Sequence, residues 1–369
     1  MSGRAAAAAL APLGAELALY DAAPAARGIF SAAGDAGVAA SGGWGGWTPD
    51  QAKAVAAAAN GVVLDPAAPA VPPADLDLLV VSPGWAPDAP LLAGARAAGV
   101  PIWSEVELAW RLRANPDAPW LAVTGTNGKT TAVGMLEAIL LASGRRARAA
   151  GNVGAPLVTA VQDPEVEVFA VELSSFQLHH THSMRAQAAA ILNIAPDHLD
   201  WHGSLEAYAA AKGKIYAGAR SAAVYNAADP LAKELAARAG APPVGFTLGA
   251  PRLGEVGVIE SRLADRAFHG RRRRHALDIA SLEDVARPWG GRLPPHLAAN
   301  ALAATALALA YGAGADGIGQ GLRSFTPGAH RGEAVGEAGG VRFADDSKAT
   351  NAHAAAAALG GFAPASVVW

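Results

Sequence analysis

Residues 124–131 read Thr-Gly-Thr-Asn-Gly-Lys-Thr-Thr. Gly125 and Gly128 let backbone N–H groups approach phosphate oxygens, and the N-terminus of a following helix adds a favourable field for anions. Lys129 is placed to reach terminal phosphates and Thr130 to set a hydroxyl on Mg²⁺. The glycines stand two residues closer than in the usual phosphate-loop pattern, so the reading rests on an apolar strand before the loop and a helix after it. A plain strand-to-helix turn with an exposed lysine is the alternative.

A phosphate loop names a ligand and no reaction, so the polar residues at other strand ends must decide the chemistry. Glu172 follows the apolar run 168–171, where its carboxylate suits Mg²⁺ as a hard oxygen ligand or, more plainly, caps a helix. Asn193, Asp197, His198 and Asp200 follow a second apolar run at 188–193; an imidazole beside carboxylates can hold a metal or position a substrate, although a lone histidine there is more often a loop residue. Lys212 shares a helical face with Tyr208 and Tyr216, and periodicity alone makes it an exposed lysine.

Those groups need elements to carry them. Residues 4–13 suit a helix and 16–20 a strand closed by Asp21, an α/β alternation that lacks the opening strand and most of the glycine loop of a Rossmann-like domain, with Ser2-Gly3 as its tail. Residues 77–81 read as a buried strand ending in Ser82-Pro83-Gly84, 90–99 as a helix and 100–103 as a strand. Asn115-Pro116-Asp117 marks a boundary. From Trp120 the pattern restarts: strand 120–124, loop, helix 130–143, then strands at 168–171 and 188–193. Residues 295–311 and 317–325 are helical. Past a Pro-Gly turn at 327–328, a strand at 341–345 and a helix at 351–359 precede residues 366–369, which look like the start of another strand. A unit of that size cannot bury a core of its own, and the chain reads as cut at both ends.

Composition narrows the class. The 369 residues are 52% hydrophobic and 17% charged with a net charge of -3, which fits two or three globular domains and gives no footprint for nucleic acid. Arg271 to Arg274 lack interleaved aromatics and read as a solvated loop. There is no cysteine, hence no disulfide framework or thiolate chemistry. No stretch is apolar enough for a membrane span and no signal peptide is evident. The reading is a cytoplasmic protein without membrane insertion.

Taken together, TGTNGKTT, GNVG at 151–154, VELSSFQL at 171–178, ILNIAPDHLDWHGS at 191–204, YAAAKGKIY at 208–216 and DDSKATN at 345–351 closely resemble the Mur ligases. The resemblance runs through nearly the whole chain and is densest between 119 and 216. It implies a UDP-substrate-binding domain at 1–116 (incomplete), a central P-loop ATPase domain at 117–328 and the start of a C-terminal Rossmann-like, amino-acid-binding domain at 329–369. DSKATN and ELSSFQL are those of members that join D-glutamate to UDP-N-acetylmuramoyl-L-alanine, consuming ATP through an acyl phosphate in peptidoglycan synthesis.

The resemblance also assigns roles. Gly125, Thr126, Asn127, Gly128, Lys129, Thr130 and Thr131 would bind ATP, with Asn300 and Arg331. Thr130, Glu172, His198 and Lys212, the last as a carbamate, would hold Mg²⁺. Lys129, Lys212, His198 and Lys348 would be catalytic. Asp21, Ser82, Pro83, Gly84, Asn152, Ser174 and Thr350 would contact substrate. His296 and Asn300 match an adenine-contacting helix, but Leu297 replaces its usual first asparagine, and a helix-surface residue is the alternative for Asn300. His330-Arg331 matches a hinge pair. The segment expected to bind D-glutamate is not in this sequence, so the polypeptide as given is expected to add little or no glutamate. A different Mur or folylpolyglutamate-type ligase and a non-catalytic ATP-binding fragment are the competing readings; neither a GTPase base-reading element nor a kinase catalytic loop is visible.

Overall fold

The computed structural model describes residues 2–20, 61–65, 71–152, 154–291, 293–363 and 365–368. Asp21 lies outside them. The chain forms two compact units, one of Met1–Ala114 with Pro156–Gln162 and His180–Ser183, the other of Asn115–Ala155, Asp163–His179 and Met184–Trp369.

In the first unit a helix, Ser2–Leu10, leads through a single 3₁₀ turn to strand β1 (Glu16–Tyr20), which pairs in parallel with β2 (Gly61–Asp65). Strands β3 (Leu79–Val81) and β4 (Ile102–Ser104) form a second parallel pair, crossed by the helix Pro90–Ala97. Proline at the first helical position costs no hydrogen bond there. Its Leu91, Leu92 and Ala95 close over Val81 and Ile102 as a small core.

Two buried acids recruit the distant segments to this unit. Ser104 caps the helix Glu105–Arg111. From that helix Glu105 accepts the backbone N–H of Val158 at 2.6 Å. Glu107 accepts the N–H groups of His182 and Ser183, both at 2.8 Å, the Ser183 hydroxyl at 2.5 Å and Arg111 Nε at 2.8 Å. Burial pushes the Glu105 carboxyl up, outweighing the N–H groups of Val158 and Leu157. At Glu107 burial acts the same way but loses to the Ser183 and His182 donors and to Arg111, and its carboxyl is lowered.

The second unit is built on a nine-stranded sheet of order β13-β12-β11-β10-β9-β8-β5-β7-β6. Its strands are β5 (Trp120–Thr124), β6 (Ala147–Gly151), β7 (Val168–Glu172), β8 (Ala188–Ile191), β9 (Ala222–Asn226), β10 (Pro243–Phe246), β11 (Glu255–Ile259), β12 (Arg262–Asp265) and β13 (Leu277–Ser281). Strands β6 to β11 run parallel with β5, while at the edge β12 pairs antiparallel with both β11 and β13. Every residue of β5, β7 and β8 is buried, as unbroken apolar runs covered on both faces require. The helices Lys129–Ala142, Pro295–Tyr311 and Ala315–Ser324 contribute to one continuous core with them. Gly321 lets the helix Ala315–Ser324 lie close against Lys129–Ala142, since a Cβ there would stand 2.3 Å from Ile139 Cα.

The chain leaves β5 toward β7 and β6 on one side and resumes with β8 on the other. Such a reversal opens a crevice at the carboxyl ends of β5 and β8, where open α/β sheets bind ligands. Beyond the sheet, β14 (Glu333–Ala338) and β15 (Val341–Asp345) form an antiparallel hairpin and Ala352–Leu359 a helix. Residues 366–368 are not a strand, contrary to their apolar pattern. A strand exists only where another pairs with it. Arg271 to Arg274 are exposed on the β12–β13 turn as expected. Among the described residues no helix is long and apolar enough to cross a membrane.

Candidate active site

The loop 125–128 occupies the crevice, stitched to the segment after β8. Thr126 N–H donates to Asn193 O at 3.0 Å. The Asn193 amide then grips the Asn127 backbone at both ends, Oδ1 accepting from N at 2.9 Å and Nδ2 donating to O at 3.1 Å. The Thr126 hydroxyl accepts Ala195 N–H at 3.0 Å and meets the Tyr208 hydroxyl at 3.0 Å. At the loop's end Gly128 turns left-handed, φ 85°, to start the helix at Lys129. A Cβ on Gly128 would stand 2.4 Å from Asn300 Oδ1. Asn300 is 5% exposed; it backs the loop and is no helix-surface residue.

Lys129 Nζ donates to the carbonyls of Gly125 at 2.8 Å and Thr126 at 2.9 Å. Burial lowers its pKa, Glu172 and Asp197 raise it, and Arg331 lowers it again. Lys212 is 1% exposed, so the exposure that helical periodicity predicts is wrong. Its helix, Leu205–Gly213, turns this face to the phosphate loop. There Nζ donates to Gly125 O at 2.9 Å and sits 4.5 Å from the centroid of the Tyr208 ring. Burial first and the Lys129 charge second hold the Lys212 ammonium well below its ordinary value. Burial pushes the Tyr208 hydroxyl up to about 12.

Glu172, 2% exposed, ends β7. It accepts Asn152 Nδ2 at 2.9 Å, while its carbonyl accepts Asn152 N–H at 2.9 Å. Ser174 has a local task. Its hydroxyl accepts Gln177 N–H at 3.2 Å and Gln177 Oε1 accepts Ser174 N–H at 2.9 Å, a capping box at the helix Ser175–His179. His198 is left-handed, φ 51°, half-exposed, 3.6 Å from Asp197 Oδ2 and packed on the Phe176 ring at 4.7 Å. Behind it His202, against Ser175 Oγ at 2.9 Å, is lowered to about 4 by burial and by His179, Lys212 and His198.

Thr130 and Thr131 are the second and third residues of the helix Lys129–Ala142. Among the described residues no three His, Asp or Glu side chains gather into a metal-binding cluster. The expected set therefore offers two hard oxygens, from Thr130 and Glu172, together with the half-exposed His198 and a Lys212 whose amine is unmodified and donates to Gly125 O.

From the C-terminal segment, Asn351 reaches the loop, its amide paired with that of Asn127 at 3.0 Å and 3.3 Å. Lys348 and Thr350 are exposed on the turn before it. Lys348 N–H donates to His330 O at 3.3 Å, and His330 Nδ1 meets Asp345 Oδ2 at 2.6 Å. That bond and the Ser347 N–H bring the Asp345 carboxyl down to about 2. His296 Nδ1 pairs with Ala357 O at 3.1 Å. In the first unit Ser82, Pro83 and Gly84 make the turn after β3, closed by Trp85 N–H to Ser82 O at 3.2 Å.

Sequence reasoning missed the work of Asn193 and Asn351. Both follow patterns that carry a signal: a polar amide just past a buried strand, and an asparagine three residues before a helical N–H it can cap.

Residues 123–308, about half of the chain, match the Mur ligase middle domain family. The chain belongs to the Mur ligases. This Mur ligase is 54% identical over 302 residues to the UDP-N-acetylmuramoylalanine–D-glutamate ligase of Streptomyces avermitilis, covering 80% of this chain and 63% of that one. It is 45% identical to the ligase of the same name from Mycolicibacterium vanbaalenii, covering 100% of this chain and 69% of the relative. The chain thus spans less than two thirds of the Streptomyces protein's length. Among solved structures, the UDP-N-acetylmuramate:L-alanyl-gamma-D-glutamyl-meso-diaminopimelate ligase of Neisseria meningitides matches with a TM-score of 0.51 at 17% identity, covering 88% of this Mur ligase and 94% of that chain. That likeness is one of fold.

Proposed function

We propose that this chain carries the ATP-binding core of a ligase that joins D-glutamate to UDP-N-acetylmuramoyl-L-alanine in cytoplasmic peptidoglycan precursor synthesis. The observation that carries the reading is the convergence of Lys129, Lys212, Glu172 and the clamped loop 125–128 at one crevice, in a chain 54% identical to a relative bearing that name. The reading keeps the division at 1–116 for the UDP substrate, 117–328 for ATP and 329–369 for the start of the amino-acid-binding part.

In this reading the loop N–H groups and the helix N-terminus cradle ATP phosphates, and Lys129 exchanges its two backbone carbonyls for phosphate oxygens. Arg331, whose charge is already felt at Lys129, suits the same anion. Asn300 and His296 face the adenine side. The substrate carboxylate takes the γ-phosphoryl group, ADP leaves, and the amine of D-glutamate attacks the acyl phosphate carbonyl to release phosphate. Catalysis is positioning and charge neutralisation.

Thr130 and the buried Glu172 fit Mg²⁺ as hard oxygen donors, phosphates completing the shell. The ion would neutralise charge on the phosphates. His198 and Lys212 fit a second ion only with Lys212 as a carbamate, which turns a buried cation into an anion. Asn152, Ser174, Lys348, Thr350, Asp21 and the turn Ser82-Pro83-Gly84 remain substrate-side candidates.

The nucleotide part is tested by titrating the chain with Mg²⁺ and a non-hydrolysable ATP analogue. Saturable binding lost in Lys129→Ala is expected; no binding, or binding that Lys129→Ala leaves unchanged, defeats the reading. For the ligase whose ATPase core this is, mass spectrometry should find a UDP-muramoyl product that requires D-glutamate and does not form with L-lysine or diaminopimelate.

A further inference from the structure

The Asn193 clamp uses the backbone N–H and carbonyl of Asn127 and leaves its side-chain amide free to point elsewhere. That amide meets Asn351 in a reciprocal pair, Asn351 Nδ2 donating to Asn127 Oδ1 at 3.0 Å and Asn127 Nδ2 to Asn351 Oδ1 at 3.3 Å. The capacity of Asn351 is then fully used. Its Oδ1 also accepts Ala354 N–H at 2.8 Å, capping the helix Ala352–Leu359, and its Nδ2 also reaches Asp197 Oδ2 at 3.5 Å. An amide has two acceptor sites and two donors, and all four are directed at three separate elements. One side chain thereby ties the phosphate loop, the segment after β8 and the start of a helix some two hundred residues further along the chain.

We infer that Asn351 is a positioning residue for the phosphate loop, setting the conformation of Asn127 so that nucleotide affinity depends on the Asn351 amide. The inference rests on the ATP reading above. A cap needs only a short side-chain oxygen, and serine serves as well as asparagine. Nothing in capping requires the two N–H donors aimed at Asn127 and Asp197. Those donors point to a second task. A helix Ala352–Leu359 displaced from the loop would leave Asn127 to rotate, and its loop N–H neighbours would meet phosphate less well aligned.

Asn351→Ser separates the two tasks, keeping the cap and deleting the amide pair without adding charge. Calorimetric titration with Mg²⁺ and a non-hydrolysable ATP analogue should show roughly tenfold weaker binding, the scale of one or two lost hydrogen bonds, with only a small fall in the melting temperature of the free chain. Asn127→Ala should weaken binding as well, and the double variant should be no weaker than Asn127→Ala alone, because the pair acts as a unit. Analogue binding by Asn351→Ser that equals the parent overturns the inference, as do losses that multiply in the double variant. A parent chain that binds no analogue overturns the ATP reading and this inference with it, an outcome distinct from the other two.

Discussion

Lys129 and Lys212 donate to the same acceptor, the Gly125 carbonyl, at 2.8 Å and 2.9 Å. Two ammonium groups one hydrogen bond from a single oxygen repel each other, with Lys212 buried and Lys129 half-buried. Phosphate would relieve the pair by taking Lys129 away from the loop backbone. Converting Lys212 to an anion would relieve it from the other side. The pair thus concentrates positive charge that an anionic ligand would offset.

Lys212 should therefore destabilise the ligand-free chain. Its folded-state pKa is held well below 10.5 by burial and by Lys129. The unfolded chain binds the extra proton in the window between the folded value and 10.5, so stability rises with pH through that window and falls on acidification. Lys212→Met should melt higher than the parent at pH 7, by about 2 °C or more, with the gap closing as pH approaches the ordinary lysine value. Melting curves in carbonate-free buffer from pH 6 to 10 check this; equal or lower melting of the variant at pH 7 contradicts it.

Gly128→Ala should damage the loop twice. The left-handed φ of 85° costs an L side chain about 1–2 kcal/mol, and the new Cβ would press to 2.4 Å from Asn300 Oδ1. Adding Asn300→Ala removes the contact and leaves the backbone cost, so the double variant should recover part of the lost stability in urea titrations. Full recovery would mean that the backbone conformation carries no cost.

Asn193→Ala should loosen the same loop from the other face. Both Asn127 backbone groups lose their partner, an expected cost of about 1–3 kcal/mol. Analogue affinity should fall roughly tenfold. Hydrogen exchange confined to residues 125–128 is the discriminating measurement, and protection there equal to the parent's would show that the clamp is dispensable.

How far the sequence disclosed this depended on range. The strands 16–20, 120–124 and 341–345 and the helix 295–311 coincide with their apolar runs, because glycine, proline and the switch of period punctuate them locally. The strand–loop–helix order placed Gly125 to Lys129 for the same reason. Lys212 resisted, since its burial is decided by Tyr208 and by a carbonyl 87 residues away. Asn351 lies 224 residues from Asn127, and only the closed topology reveals the pair. The Ser174–Gln177 capping box is readable locally as Ser-x-x-Gln.

Glu107 governs a part of the first unit that no motif announces. Its buried carboxylate holds the backbone N–H groups of His182 and Ser183, the Ser183 hydroxyl and the exposed Arg111, so Glu107→Ala removes their shared acceptor and should cost about 3 kcal/mol. The direction with pH is the same as for Lys212, since both folded-state values are lowered, but here it is the charged form that the fold favours. A lowered carboxyl contributes stability that is present above the ordinary value of 4.5 and is lost as pH falls through the folded value. Hydrogen exchange of residues 180–183, measured against its intrinsic rate at each pH, should therefore quicken on acidification below about pH 4.5 in the parent. In Glu107→Gln, which cannot titrate and keeps one acceptor oxygen, it should be fast at every pH. Protection of 180–183 in Glu107→Gln equal to the parent's at neutral pH would show that the charge of Glu107 is not what fastens this segment.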